Sequence, residues 1–270
     1  MNSQHIRYVL KFCLPLIPHA ASLWAISSLS RPAMAAVSTL EQVGLFSFGL
    51  GLAQVAGLLI FEINRSVLSR YALETFRAPS RETRGPVSWQ VIAAFVVPAI
   101  IGAGVAVVGP WIFSSTFWPS FRLTGILLVS QAVYGLYVIP MNYLTQTGGV
   151  TRYSALVSGA GATIILLAIL IFGRTYGAIG LAYATVAGYF AMAVVAMVLL
   201  RLHKFHIQWR AWLSNWPEIC LAVAALGCAV AGLTCPLNGV ASWAFSGGAA
   251  LLSAGAIILL GRTRSAIRVA

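Results

Sequence analysis

The chain has no aspartate and only five glutamates, Glu41, Glu62, Glu74, Glu82 and Glu218. Charged residues of both signs make up 8% of its 270 residues, against about a quarter in a soluble domain. A soluble globular fold is excluded on that ground. Cysteine is also scarce. Cys13, Cys220, Cys228 and Cys235 form no C-x-x-C pair, so neither a disulfide framework nor a metal site is expected. His203 and His206 have no third ligand beside them in sequence and make a poor metal pair. No G-x-x-x-x-G-K-[ST] run occurs, which leaves no ATP-driven engine in this chain.

Apolar residues are abundant: 60% of the chain is hydrophobic and the mean hydropathy is +0.89. Eight apolar stretches can be marked, at 12–37, 43–63, 89–113, 123–143, 154–172, 178–200, 217–234 and 241–260. Each is near the ~20 residues a helix needs to cross a bilayer. The runs are too long and too uniformly apolar for alternating barrel strands, so the expected fold is all-α, a polytopic transmembrane bundle of about eight spans. The first run is too long for a cleavable signal peptide, and none is expected.

The positive charge is patterned. With a cytoplasmic N-terminus, fourteen of the seventeen Lys and Arg residues fall in inside segments. Arg122 and Arg174 lie outside and Arg31 within a span. The positive-inside rule then places both termini in the cytoplasm. The net charge of +12 is spread over short loops and not gathered on one face, which argues against nucleic acid and for anionic lipid as the partner. Trp89, Trp209, Trp212 and Trp216 fall at inner boundaries, Trp111, Trp118 and Trp243 at outer ones, as aromatic belts do; only Trp24 lies well inside a span.

Residues 1–200 form a six-span unit, 201–216 a basic interfacial linker, and 217–270 a terminal hairpin with a cytoplasmic tail. In the linker, Phe205, Trp209, Trp212, Leu213 and Trp216 share one helical face beside Arg201, Lys204 and Arg210. The inner loop from Asn64 to Ser88 carries Leu68, Tyr71, Ala72 and Phe76 at helical spacing. It reads either as an amphipathic helix on the inner leaflet or as a solvated basic loop. Gly180, Ala184 and Gly188 repeat every four residues, as do Ser154, Ser158 and Ala162, a spacing that lets helices approach closely.

Polar residues inside the apolar stretches are the candidate site. Arg31 would cost ~2.5–3.5 kcal/mol on insertion scales, so it faces an anionic substrate, or water, or snorkels to the outer interface. His19 is either a proton site or a hydrogen-bonded bundle residue. Gly44, Ser47, Gly51, Gln54 and Glu62 share one arc of the second stretch, too polar for lipid and expected to face the bundle or a cavity. Glu62 is placed to pair with Arg65. In the fourth stretch Gln131, Tyr134, Asn142 and Thr145 share a face near Pro140. Their hydroxyls and amides suit either a hydrated sugar path or interhelical hydrogen bonds. Tyr183 and Tyr189 read as packing residues. On the outer face Glu41 is the lone acid, which argues against a lipid-dependent glycosyltransferase needing a base or metal ligand there. The chain is therefore not expected to be an enzyme or to hold a cofactor.

The opening LPLIPHAASLWAISSLSR, followed by EQVGLFSFGLGLAQV, resembles the start of the C-terminal half of a polysaccharide or O-antigen flippase. That family belongs to the multidrug/oligosaccharidyl-lipid/polysaccharide exporter superfamily. YLTQTGGVTRYSAL resembles the short inner loop after the family's tenth helix, and YGAIGLAYATVAGY the start of its twelfth. The resemblance covers residues 7–200 and implies one of two six-helix lobes around a central cavity in a bacterial inner membrane. It implies lipid-linked oligosaccharide as cargo and an N-terminal lobe, in the same or a second chain, as partner. Arg31 with His19 would then attract the diphosphate, and Gln54, Gln131, Tyr134 and Asn142 would contact sugars. Family members often carry an acid just before the arginine of the first span, where this chain has Ser30. A multidrug exporter lobe, a membrane enzyme of surface-glycan assembly and a truncated non-transporting remnant are the alternatives.

Overall fold

Proline shapes the first helical segment. Pro32 has no N–H for the Ser28 carbonyl, and its ring crowds that oxygen. The turn just before it is widened: α1 (Leu16–Trp24) runs through a π-helical turn (Ala25–Leu29) into α2 (Ser30–Ala35), a common way for a helix to absorb such a misfit. Ser30 Oγ, buried here, donates to the Ile26 carbonyl at 3.0 Å. This computed structural model describes residues 13–14, 16–73, 81–147, 151–203, 215–236 and 239–269, without the side chains of 72–73, 81–86, 147 and 262–269. All regular structure among the described residues is helical.

Helix α3 (Leu40–Leu73) has 34 residues, a length of about 51 Å at 1.5 Å per residue. The hydrocarbon core is only ~30 Å thick, so the helix continues well past the apolar stretch of 43–63. No proline or glycine interrupts it after Gly57. The amphipathic segment expected as a separate inner-leaflet helix is thus, as far as Leu73, the last part of α3. Its apolar side turns to the bundle: Tyr71 is fully buried against Val87, Val91 and Ile139. Phe76 and the side chain of Ala72 lie outside the described residues, as do Phe205, Trp209, Trp212 and Leu213 of the linker.

Helix α4 (Arg81–Ile112) leads through a 3-10 turn (Ser115–Phe117) to α5 (Pro119–Asn142), which ends in a second π-helical turn (Tyr143–Thr147). Phe48 of α3 stacks on Phe117 and meets Phe113 edge-on, closing this end of the bundle.

Helix α6 (Ser154–Leu202) folds back on itself. Its 49 residues would extend roughly 74 Å if straight. At Gly177 the backbone takes φ 52° and ψ −134°, a conformation open to glycine and strained for any other residue. Gln42 Oε1 accepts from the Ala178 N–H at 3.1 Å, supplying a partner for an N–H the new helix start leaves unpaired. The two legs are antiparallel. A Cβ on Gly161 would lie 2.5 Å from Met192 Cγ, and one on Gly188 2.5 Å from Ile165 Cγ1. The expected small-residue contact at Gly188 is therefore an intrahairpin one. Ser154, Ser158 and Ala162 are buried on the same leg, whereas Tyr183 points outward at 59% exposure and is no packing residue.

Helices α7 (Trp216–Thr234) and α8 (Val240–Val269) complete the chain. Ser242 Oγ donates to the Gly232 carbonyl at 2.9 Å, tying the two together. Ala225, Leu226, Ala229, Leu233 and Ala249 join the main core with Phe46, Phe121, Leu127, Ile165 and Met192, so the terminal hairpin packs into the bundle itself. Among the described residues six helices are long and apolar enough to cross a membrane, one of them the leg pair broken at Gly177. A helical segment lies within each of the eight apolar stretches. The fold is that of an all-helical, multi-pass type of membrane protein.

Candidate functional site

One end of the bundle gathers side chains that are far apart in sequence. Tyr153 and His203, at the two ends of the α6 hairpin, meet through a 3.1 Å hydrogen bond between the tyrosine hydroxyl and Nε2. Arg152 lies over the Tyr153 ring, 4.8 Å from its centroid. Thr151 and Asn64 border a common cavity, so the C-terminal part of α3, with Arg65 and Arg70, is at this end too. It is the basic end of the molecule.

Beneath it lies a buried polar network joining α3, α4 and α5. Asn64 Oδ1 accepts from Gln90 Nε2 at 2.8 Å and from Asn142 Nδ2 at 2.6 Å. The Tyr71 hydroxyl donates in turn to Gln90 Oε1. Asn64, Gln90 and Asn142 are 7%, 4% and 5% exposed. Removing the shared acceptor would leave two buried donors without partners. Each such orphan costs about 1–3 kcal/mol, somewhat less where a membrane-embedded reference state finds other partners. Asn64→Leu is expected to lower stability by about 2 kcal/mol, read as the thermal midpoint in detergent. Adding Asn142→Leu should recover part of that loss, because one orphaned donor goes with it, whereas Gln90→Leu would also take the acceptor from the Tyr71 hydroxyl; full additivity of the Asn64 and Asn142 losses would contradict the network.

The cavity opens beside this network, in the gap between α1, α3 and α5. It measures about 200 Å³. Leu16, His19 and Leu23 form one wall, Phe61 and Asn64 a second. Tyr134, Tyr137, Val138, Met141 and Asn142 supply the α5 side, and Thr145, Gln146 and Thr151 the rim. The rim exists because α5 ends in a wide π turn, a geometry frequent at functional sites. His19 Nδ1 lies 3.1 Å from the Ser154 carbonyl, which ties α1 to α6. Tyr134 also packs on the Tyr189 ring, with centroids 5.3 Å apart.

The candidates from the sequence are therefore divided. His19, Tyr134 and Asn142 meet at this cavity, with Thr145 of the same α5 face. Gln131 does not reach it. It is buried at the α3–α5 contact, where its Oε1 occupies the space a Cβ on Gly57 would need. Gln54 is half-buried on α3 and lines no part of the cavity. Arg31 is twelve residues from His19 along one continuous helical segment, about 18 Å at 1.5 Å per residue. The two cannot hold one diphosphate together. Arg31 lies instead toward the opposite end, half-buried, with a buried Nε that has no hydrogen-bond partner among the described residues. Glu62 pairs with Arg65 at 3.2 Å, as its spacing suggested.

Of the two readings of the polar arc of α3, the one that turns it into the bundle needs correction. Gly44, Gly51 and Glu62 are exposed, and a Cβ on either glycine would meet nothing within 4 Å. The arc faces away from this bundle and not into it. Asn64, Gln146 and Thr151 were not singled out from sequence. Asn64 sits just past the apolar stretch and reads as loop until α3 is seen to continue through it.

Comparison with family models, with curated proteins and with solved structures finds no match for this chain.

Proposed function

We propose that the chain is one lobe of a bacterial inner-membrane flippase, moving a polyprenyl-diphosphate-linked oligosaccharide by alternating access. The observation that carries the reading is the cavity: amides, hydroxyls and tyrosine rings gathered where α1 packs beside two helices of membrane-spanning length, α3 and α5, at the end of the bundle rich in arginine. Groups of this kind serve hydroxyl-bearing cargo, and an arginine-rich end favours the cytoplasmic side, where such cargo is assembled. The eight helical segments, taken as eight crossings, return the C-terminus to the same side. The outward polar arc of α3 adds support. Lipid is a poor neighbour for it, and a second lobe across a hydrated cleft is a good one. In this arrangement Arg31 draws the diphosphate, the lipid tail stays in the bilayer, and the two lobes rock about the cleft.

Loss of the gene in its own host tests this reading. Lipid-linked oligosaccharide should accumulate on the cytoplasmic leaflet and the corresponding surface glycan should disappear, both restored by the gene in trans. Unchanged surface glycan with no accumulation would sink the proposal.

A further inference from the structure

We propose that the cavity between α1, α3 and α5 is a subsite for a single uncharged sugar ring, and that the diphosphate is bound elsewhere. This rests on the flippase reading and names which part of the cargo the cavity takes. Size sets the first limit. A cavity of about 150 Å³ admits benzene, so one of about 200 Å³ has room for one six-membered ring and its substituents. A second ring must lie outside.

Charge sets the second limit. No Asp, Glu, Lys or Arg lines the cavity among the described residues. An anion placed there would be desolvated without a cation to pair with, at a cost that neutral polyols do not meet. A neutral His19 does not change this. Its Nδ1 faces the Ser154 carbonyl and must carry the hydrogen there, so the neutral ring offers only an acceptor at Nε2.

The lining complements such a ring. Asn64 lines the cavity and uses Oδ1 for both Gln90 and Asn142, which fixes the amide with its Nδ2 hydrogens unused by either bond. Thr145 Oγ1 donates to the Met141 carbonyl at 2.9 Å and keeps its lone pairs as acceptors. Gln146, in the π turn, contributes an amide with both donor and acceptor atoms. Tyr134 offers an aromatic flank suited to the C–H face of a pyranose.

The test uses the full chain in lipid nanodiscs, with N-acetylglucosamine, galactose, glucose and rhamnose as neutral probes and glucuronate as the charged one, read by saturation-transfer NMR. At least one neutral sugar should bind above empty nanodiscs and glucuronate at least tenfold more weakly. Gln146→Leu, on the rim and outside the buried network, should weaken neutral-sugar binding about tenfold with its thermal midpoint unchanged; Thr145→Val is the second variant should Gln146→Leu fold poorly. Adding the polyprenyl-diphosphate-linked sugar to the nanodisc should displace the free sugar, which assigns the subsite to the lipid-linked form; binding without displacement would assign it to a free sugar and overturn the link to the cargo. No neutral binding, equal glucuronate binding, or indifference to both variants would overturn the subsite. If it fails while loss of the gene still blocks glycan export, the flippase reading stands alone; if sugars bind but export is unaffected, the subsite survives without it.

Discussion

Gly188→Leu is expected to lower the stability of the bundle by about 3 kcal/mol, at the upper end of what overpacking costs. The reason is where the clash falls. A Cβ at Gly188 would lie 2.5 Å from Ile165 Cγ1 and 3.1 Å from the Gly161 carbonyl oxygen. The isoleucine can turn away, but the backbone oxygen moves only if the two legs of α6 separate. Reciprocally, a Cβ at Gly161 would lie 3.0 Å from the Gly188 carbonyl, so the two glycines form one contact seen from both sides. Gly159, two residues away on the same leg, has nothing within 4 Å of its Cβ position. Gly159→Ala should therefore be neutral or mildly stabilising, by up to about 1 kcal/mol as alanine relieves the helix of glycine's backbone entropy. Thermal unfolding in detergent separates the pair, and adding Ile165→Ala to Gly188→Leu should restore only part of the loss. Equal midpoints for the Gly159 and Gly188 variants would mean the legs are not in contact there.

The same hairpin shows what could be read in advance. Its two legs are marked by apolar stretches that end at Phe172 and resume at Ala178, because bilayer solubility is a property of composition and needs no knowledge of contacts. The device that joins them, one glycine at positive φ with Gln42 supplying a partner to Ala178, depends on a residue from another helix and is invisible to hydropathy. The polar network was hidden for a like reason. Asn64, Tyr71, Gln90 and Asn142 come from three helices; Gln90 and Asn142 sit at the very ends of their apolar stretches and Asn64 and Tyr71 outside any, so hydropathy does not link them. The boundary of α3 failed because hydropathy reports where the membrane core ends, while backbone hydrogen bonding carries the helix on. Periodicity placed the α3 arc correctly on one face but could not say which way that face turns. The resemblance pairs His19 with Arg31 at one diphosphate; twelve residues of helix at 1.5 Å per residue keep them apart.

That separation leads to the second large effect, expected at Arg31. Arg31→Ala should reduce surface-glycan export to the level of the gene deletion, while the protein persists in the membrane at undiminished amount and with an unchanged or higher thermal midpoint. Two observations set the direction. The guanidinium group is half-buried and its Nε has no hydrogen-bond partner among the described residues, so the fold gains no described polar contact from it. An arginine costs ~2.5–3.5 kcal/mol to insert at a helix centre and less toward an end, and alanine removes that cost. A residue the fold tolerates at a cost, at the end of the molecule opposite the sugar cavity, is placed to attract an anion after or apart from sugar capture, and the ~18 Å between the two positions is bridged by the length of the cargo itself. Arg31→Lys should retain part of the export, since a point charge still draws a diphosphate but lacks the bidentate fork of the guanidinium. Neutral-sugar binding at the distant cavity should be the same in all three proteins. Export at the parental level in Arg31→Ala would show that the arginine merely snorkels to the interface; loss of export together with loss of protein would show that it holds the fold and would remove it from the site.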